Sequence, residues 1–97
     1  MVALPVIRKE TIMKILDIQS VETRETRTDG RYPLRIGSTV DFYVNPLPGC
    51  PMVLDYVSDN QGNPKSGTLR TSTVIDVDDT KHEIVITTVN SIYYFEK

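Results

Sequence analysis

A small all-β barrel is the fold this chain predicts, and three observations predict it. Val, Ile, Thr and Tyr are abundant while Ala occurs once, so intrinsic preference runs to strand rather than helix. Short stretches of alternating apolar and polar residues recur along the chain, separated by clusters rich in Gly, Pro, Asn and Asp, the punctuation of hairpins. The length of 97 residues suits one domain with one core. About five or six antiparallel strands joined this way close most economically into a barrel, because closure removes exposed strand edges.

Residues 1–12 read as an N-terminal leader or extra strand, and residues 13–97 as a single barrel domain. The apolar start "MVALPVIRKE" is interrupted by Pro5 and charged from Arg8, too short for the apolar region of an export signal. A first strand runs from about Met13, with Lys14, Leu16 and Ile18 on one face. The stretch "VETRETRTDGRYPLRIG", residues 21–37, then reads as a polar two-stranded arm turning at Asp29-Gly30, where both central residues of the turn need positive φ. "STVDFYVN" alternates cleanly, with Val40, Phe42 and Val44 on one face and Thr39, Asp41 and Tyr43 on the other. "PLPGCP" lacks ladder donors at its prolines and is a loop.

"MVLDYVSD" supplies the next strand, and the turn-rich "NQGNPKSG" joins it to "TLRTSTVIDV". The polar turn "DDTKH" leads to "EIVITTV". An unbroken strand from Glu83 to Glu96 would be more than twice the usual length, so a break or bulge is expected at Asn90-Ser91. Both faces of this last segment are apolar, which suits a strand bending inside a closing barrel.

The order of strand, long charged arm, strand, Pro/Gly loop, strand, turn and strand resembles an SH3-like barrel, with residues 22–36 in the place of its long first loop. An OB-like barrel is the alternative strand order. The pair "RTSTVIDV" and "TTVNSIYYFE" is also similar to short bacterial and phage small-barrel proteins, a resemblance that implies no activity.

Apolar content of 39% and charged content of 25% are those of an ordinary folded domain. The formal charge of -2 provides no global attraction to nucleic acid or anionic membrane. Residues 1–40 carry seven Lys/Arg against five Asp/Glu, a balance of +2, and residues 41–97 carry four against eight, a balance of -4. No apolar run approaches a membrane span. A lone Cys50 excludes an internal disulfide and, with His82 the only histidine, leaves no zinc set. A reducing, cytoplasmic setting is expected.

Catalysis finds few parts. Cys50 lies between Gly49 and Pro51, in a different turn from His82, and no nucleophile–base pair or glycine-rich phosphate loop is present. Asp76, Asp78, Asp79 and Glu83 crowd one turn, but the spacing lacks the glycine and final glutamate of a calcium loop. The expectation is therefore no enzyme, no cofactor and no metal.

Binding is the remaining function class. A polyproline groove is poorly supplied, since the chain has no Trp and its first strand no tyrosine. Arg24, Arg27, Arg31 and Arg35, with Tyr32 nearby, have the chemistry of a phosphate-reading arm. Glu22, Glu25 and Asp29 interleave with them, so the arm also reads as a self-paired solvated hairpin. Tyr43, on the polar face of its strand, reads either as a partner anchor or as a ring covered by the arm.

The expected function is a non-enzymatic module making protein–protein contacts through the arm 22–36 and the Pro/Gly loop 46–51 as one recognition end. Its binding residues would be Arg24, Arg27, Arg31, Tyr32, Arg35 and Tyr43. The alternative is nucleic-acid binding through the arginine arm. Self-association through a strand edge at "STVDFYVN" is a third possibility.

Overall fold

A computed structural model describes residues 11–42 and 44–97. Six strands form a closed antiparallel barrel in the order β1-β2-β3-β4-β5-β6. They are β1 (Ile12–Ser20), β2 (Thr39–Asp41), β3 (Pro51–Ser58), β4 (Thr68–Asp79), β5 (Glu83–Thr88) and β6 (Ser91–Glu96), and one helical turn, α1 (Tyr32–Arg35), interrupts the arm. Each strand pairs with its neighbour in sequence and β6 closes on β1. This up-and-down course differs from the Greek key of an OB barrel. The expected leader lies largely outside the described residues, as does Tyr43.

Barrel closure rests on interruptions of strict alternation. Met13 and Ile15 point inward on β1, and the next inward residue is Ile18, because the register against β6 shifts between Ile15 and Asp17. That bulge corrects the expected face: Lys14 and Leu16 are exposed while Ile18 is fully buried. A bulge adds local twist, which a six-stranded sheet needs in order to close. On β4 the inward positions are Leu69, Thr71 and Val74, and register shifts adjoin them against both β3 and β5.

The core joins Met13, Ile15, Ile18, Val40, Phe42, Met52, Leu54, Leu69, Val74, Ile84, Ile86, Tyr93 and Phe95. Phe42 meets Phe95 edge to face, with ring centroids 4.8 Å apart at 84°, and Tyr93 stacks on Phe95 at 6.0 Å. Such ring pairs add about 0.5–1.5 kcal/mol each beyond their burial. The polar groups brought inside are satisfied: the Thr88 hydroxyl donates to the Ser91 carbonyl and accepts from the Ser91 N–H. This closes the tight β5–β6 turn at the expected break.

Two expectations fail in the first half of the chain. The strand expected through Asn45 stops at Asp41, with Phe42 still buried and Val44 exposed, because the chain turns into the proline loop, whose Pro46 and Pro48 have no N–H to offer a ladder. β2 pairs with β1 on one side and β3 on the other, so it is no free edge for self-association. The arm is no two-stranded hairpin either. It makes one isolated bridge, Gln19 to Thr26, and of the Asp29-Gly30 pair only Gly30 takes positive φ, at 55°, from which the chain enters α1.

Candidate functional site

Successive connections in an up-and-down barrel alternate between its two ends. The arm, the β3–β4 connection (59–67) and the β5–β6 turn therefore share one end, and the proline loop and the β4–β5 turn share the other. This corrects the expected single recognition end. The Pro/Gly loop 46–51 sits away from the arm and is tied instead to β4, where the Gly49 N–H donates to the Val74 carbonyl and the Val74 N–H to the Cys50 carbonyl.

The base of the arm is held by polar contacts to β1 and the β5–β6 turn. The Thr26 hydroxyl lies 2.9 Å from the Asp17 carboxylate at the β1 bulge. Arg27 forks Asp29 through Nε and Nη2 at 3.1 and 2.7 Å, and its Nη1 donates to the Ser91 hydroxyl and the Asn90 carbonyl. The hydrogen bond with Arg27 holds the Asp29 carboxyl below its usual range, and the same bond raises Arg27. Arg27 is thus occupied in structure. Arg24 is exposed, with a positive φ of 61°, in a turn where its N–H donates to the Ser20 carbonyl.

Two cations approach the Tyr32 ring. The Arg27 guanidinium carbon is 4.1 Å from the ring centroid and that of Arg35 is 5.0 Å. α1 fixes this spacing, since its single turn carries Tyr32 and Arg35 three positions apart on one face. Pro33 suits the first turn of the helix, where its missing N–H costs nothing. Asn60 donates a side-chain hydrogen bond to the Pro33 carbonyl at 3.4 Å, and this joins α1 to the β3–β4 connection.

Beyond α1 opens a concavity of about 280 Å³. Arg31, Arg35, Lys65 and Arg70 line it together with Leu34, Tyr56, Ser66, Gly67, Thr68 and Leu69. No carboxylate is among the lining residues. None of the four cations is ion-paired within 4 Å of a described carboxylate. Lys65 sits 4.1 Å over the Tyr56 ring, and burial pushes the Tyr56 phenol up, an effect partly offset by the nearby Arg35 charge. Burial likewise pushes Tyr93 up to about 12, again against the pull of Arg35.

The expected site residues therefore divide. Arg31 and Arg35 meet at the concavity, Tyr32 supports Arg35 from behind, and Arg24 and Arg27 lie elsewhere on the arm. Lys65 and Arg70 escaped sequence reasoning. The available signal was topological: both the arm and the segment "NPKSGTLR" follow odd-numbered strands, so an up-and-down barrel brings them to one end.

At the opposite end Cys50 is exposed. Asp79 is paired with Lys97, whose ammonium also donates to the Thr80 carbonyl at 2.6 Å. Among the described residues no group of three or more His, Cys, Asp or Glu side chains could hold a metal ion. Nor is any helix there long and apolar enough to cross a membrane. No protein-family model matches the chain, and no curated protein or solved structure matches it either.

Proposed function

We propose that this chain is a non-enzymatic binding module, of SH3-like type, that receives an acidic protein segment at its arm end. The observation that carries the reading is the convergence of Arg31, Arg35, Lys65 and Arg70 on one concavity with no lining carboxylate, in a chain whose overall charge is negative. Unneutralised cations gathered in a recess focus a field on an incoming anion, steering encounter and fixing its orientation. Leu34, 62% exposed on the rim, adds an apolar contact for the flanking residues of such a segment. The exposed, unpaired Cys50 suits a reducing, cytoplasmic setting.

Nucleic acid is the competing occupant, because the same cations pair with backbone phosphates. The tyrosines argue against it. Tyr32 has cations at 4.1 and 5.0 Å and Tyr56 has one at 4.1 Å, so a base stacking on either ring would have to compete with them.

Fluorescence anisotropy with labelled Asp/Glu-rich peptides and labelled single- and double-stranded oligonucleotides, at low and moderate salt, tests the reading. Acidic peptides should bind, and Arg31→Glu with Arg70→Glu should weaken them by at least about tenfold, the 1.4 kcal/mol expected for losing charged contacts. Unchanged peptide affinity in that variant overturns the surface. Tighter, steeply salt-dependent oligonucleotide binding would install the competitor.

A further inference from the structure

We infer that the concavity between α1 and the β3–β4 connection is a phosphomonoester site, reading a phosphorylated side chain on the acidic segment. The inference rests on the reading above and specifies its chemistry. Four cations reach the recess from three separate parts of the chain: Arg31 and Arg35 from α1 and its cap, Lys65 from the connection, and Arg70 from β4. Their mutual repulsion is left uncompensated by any lining acid.

One carboxylate brings a single charge and two acceptor oxygens, which leaves most of that repulsion in place. A phosphomonoester brings a charge of about -1.5 to -2 and three acceptor oxygens, and guanidinium forks match those oxygens in pairs. The Ser66 hydroxyl on the same wall supplies a neutral donor. A volume of about 280 Å³ admits a phosphate with its ester carbon. Gly67, at φ 119° with nothing within 4 Å of where a Cβ would stand, keeps that wall open.

A long polyanion fits less well. The cations form one cluster rather than a track, and Asp55 and Asp59 flank it. Asp55 accepts from the Thr68 hydroxyl at 3.3 Å, and Asp59 lies close enough to feel the Lys65 charge. A chain of phosphodiesters carries a charge at every unit and meets like charge where it passes that side, whereas a segment held by one side-chain phosphate need not run along it.

The test is an amide-shift titration of the ¹⁵N-labelled protein with inorganic phosphate, against chloride at matched ionic strength, followed by a phosphoserine peptide and its serine twin. Phosphate should produce saturable shifts confined to residues 31–35 and 65–70, and the phosphopeptide should bind at least about tenfold tighter than its twin. Arg31→Gln with Arg70→Gln should erase that advantage. Lys65→Gln is an independent check, and these three side chains are on exposed residues, so a dispersed spectrum will verify that the barrel persists. Shifts that are diffuse or unsaturable with phosphate overturn the phosphate site. If acidic peptides bind but gain nothing from phosphorylation, the phosphate site fails while the acidic-segment reading stands. An oligothymidine binding more tightly than the phosphopeptide at the same residues overturns both in favour of nucleic acid.

Discussion

Arg27 stands 4.1 Å over the ring of Tyr32 while forking Asp29 and donating to Ser91 across the end of the barrel. One side chain therefore ties the arm to the β5–β6 turn and orients the ring that backs Arg35. Removing it should loosen the arm without disturbing the core. Arg27→Ala is expected to cost about 1 kcal/mol, the scale of one cation–π contact with part-exposed hydrogen bonds. Arg24→Ala, which removes an exposed side chain, should fall within about 0.5 kcal/mol of wild type. Urea denaturation of both variants checks the contrast, and equal losses would refute the structural division of the arginines.

Asp59 organises the β3–β4 connection by accepting the N–H groups of Asn63 and Gln61, each at 2.9 Å. Those backbone bonds, Asn63 first, hold its carboxyl below the ordinary value of 3.8. The folded pKa is depressed, so the charged form contributes stability above 3.8, and this contribution is lost as the pH falls through the lower folded value. Asp59→Asn should accordingly melt below wild type near neutrality and converge with it as the pH falls through the depressed folded value. A gap that persists in acid would mean that the charge is irrelevant there.

The barrel was legible in the sequence because its signals are local. Alternation at Ile84 and Ile86 and the polar break at Asn90-Ser91 report which residues face the core and where a strand must end. What escaped depends on geometry that alternation does not carry. The β1 bulge adds a residue to one strand and turns Ile18 inward, against the two-residue period. α1 was missed because four residues are too few to display a helical period, and its Tyr32 and Pro33 favour no helix of their own. Half the candidate site was visible as arm arginines. Lys65 and Arg70 were not, since their partnership with Arg31 and Arg35 arises only once odd-numbered strands deliver their connections to the same end.

Tyr93 gives the barrel an alkaline limit. Burial is the first cause of its rise to about 12, with Tyr32 adding to it and Arg35 opposing. An unfolded tyrosine ionises near 10.0. The folded pKa is raised, so its stability contribution is intact below pH 10 and is lost as pH climbs through about 12. Phenolate absorbance should show Tyr93 titrating after ordinary tyrosines, and Tyr93→Phe should delete that late step and move alkaline unfolding upward. A titration in which every tyrosine ionises near 10 would contradict the burial.

Gly37 and Gly49 share a φ of 93° and differ in their surroundings. A Cβ at Gly49 would meet nothing within 4 Å, whereas at Gly37 it would stand 3.1 Å from Asn60 Cβ and 3.6 Å from its Cα. Both alanine substitutions carry the left-handed backbone strain, of roughly 1 kcal/mol or more. Only Gly37→Ala also presses α1's C-terminal exit against the β3–β4 connection, beside the 2.7 Å bond from the Gly37 N–H to the Ile15 carbonyl. Gly37→Ala should therefore destabilise more than Gly49→Ala, and Asn60→Gly added to it should recover part of the difference by removing the opposing Cβ. Equal midpoints for the two alanine variants in thermal melts would show that backbone strain alone explains the glycine, with no close approach between the arm and residue 60.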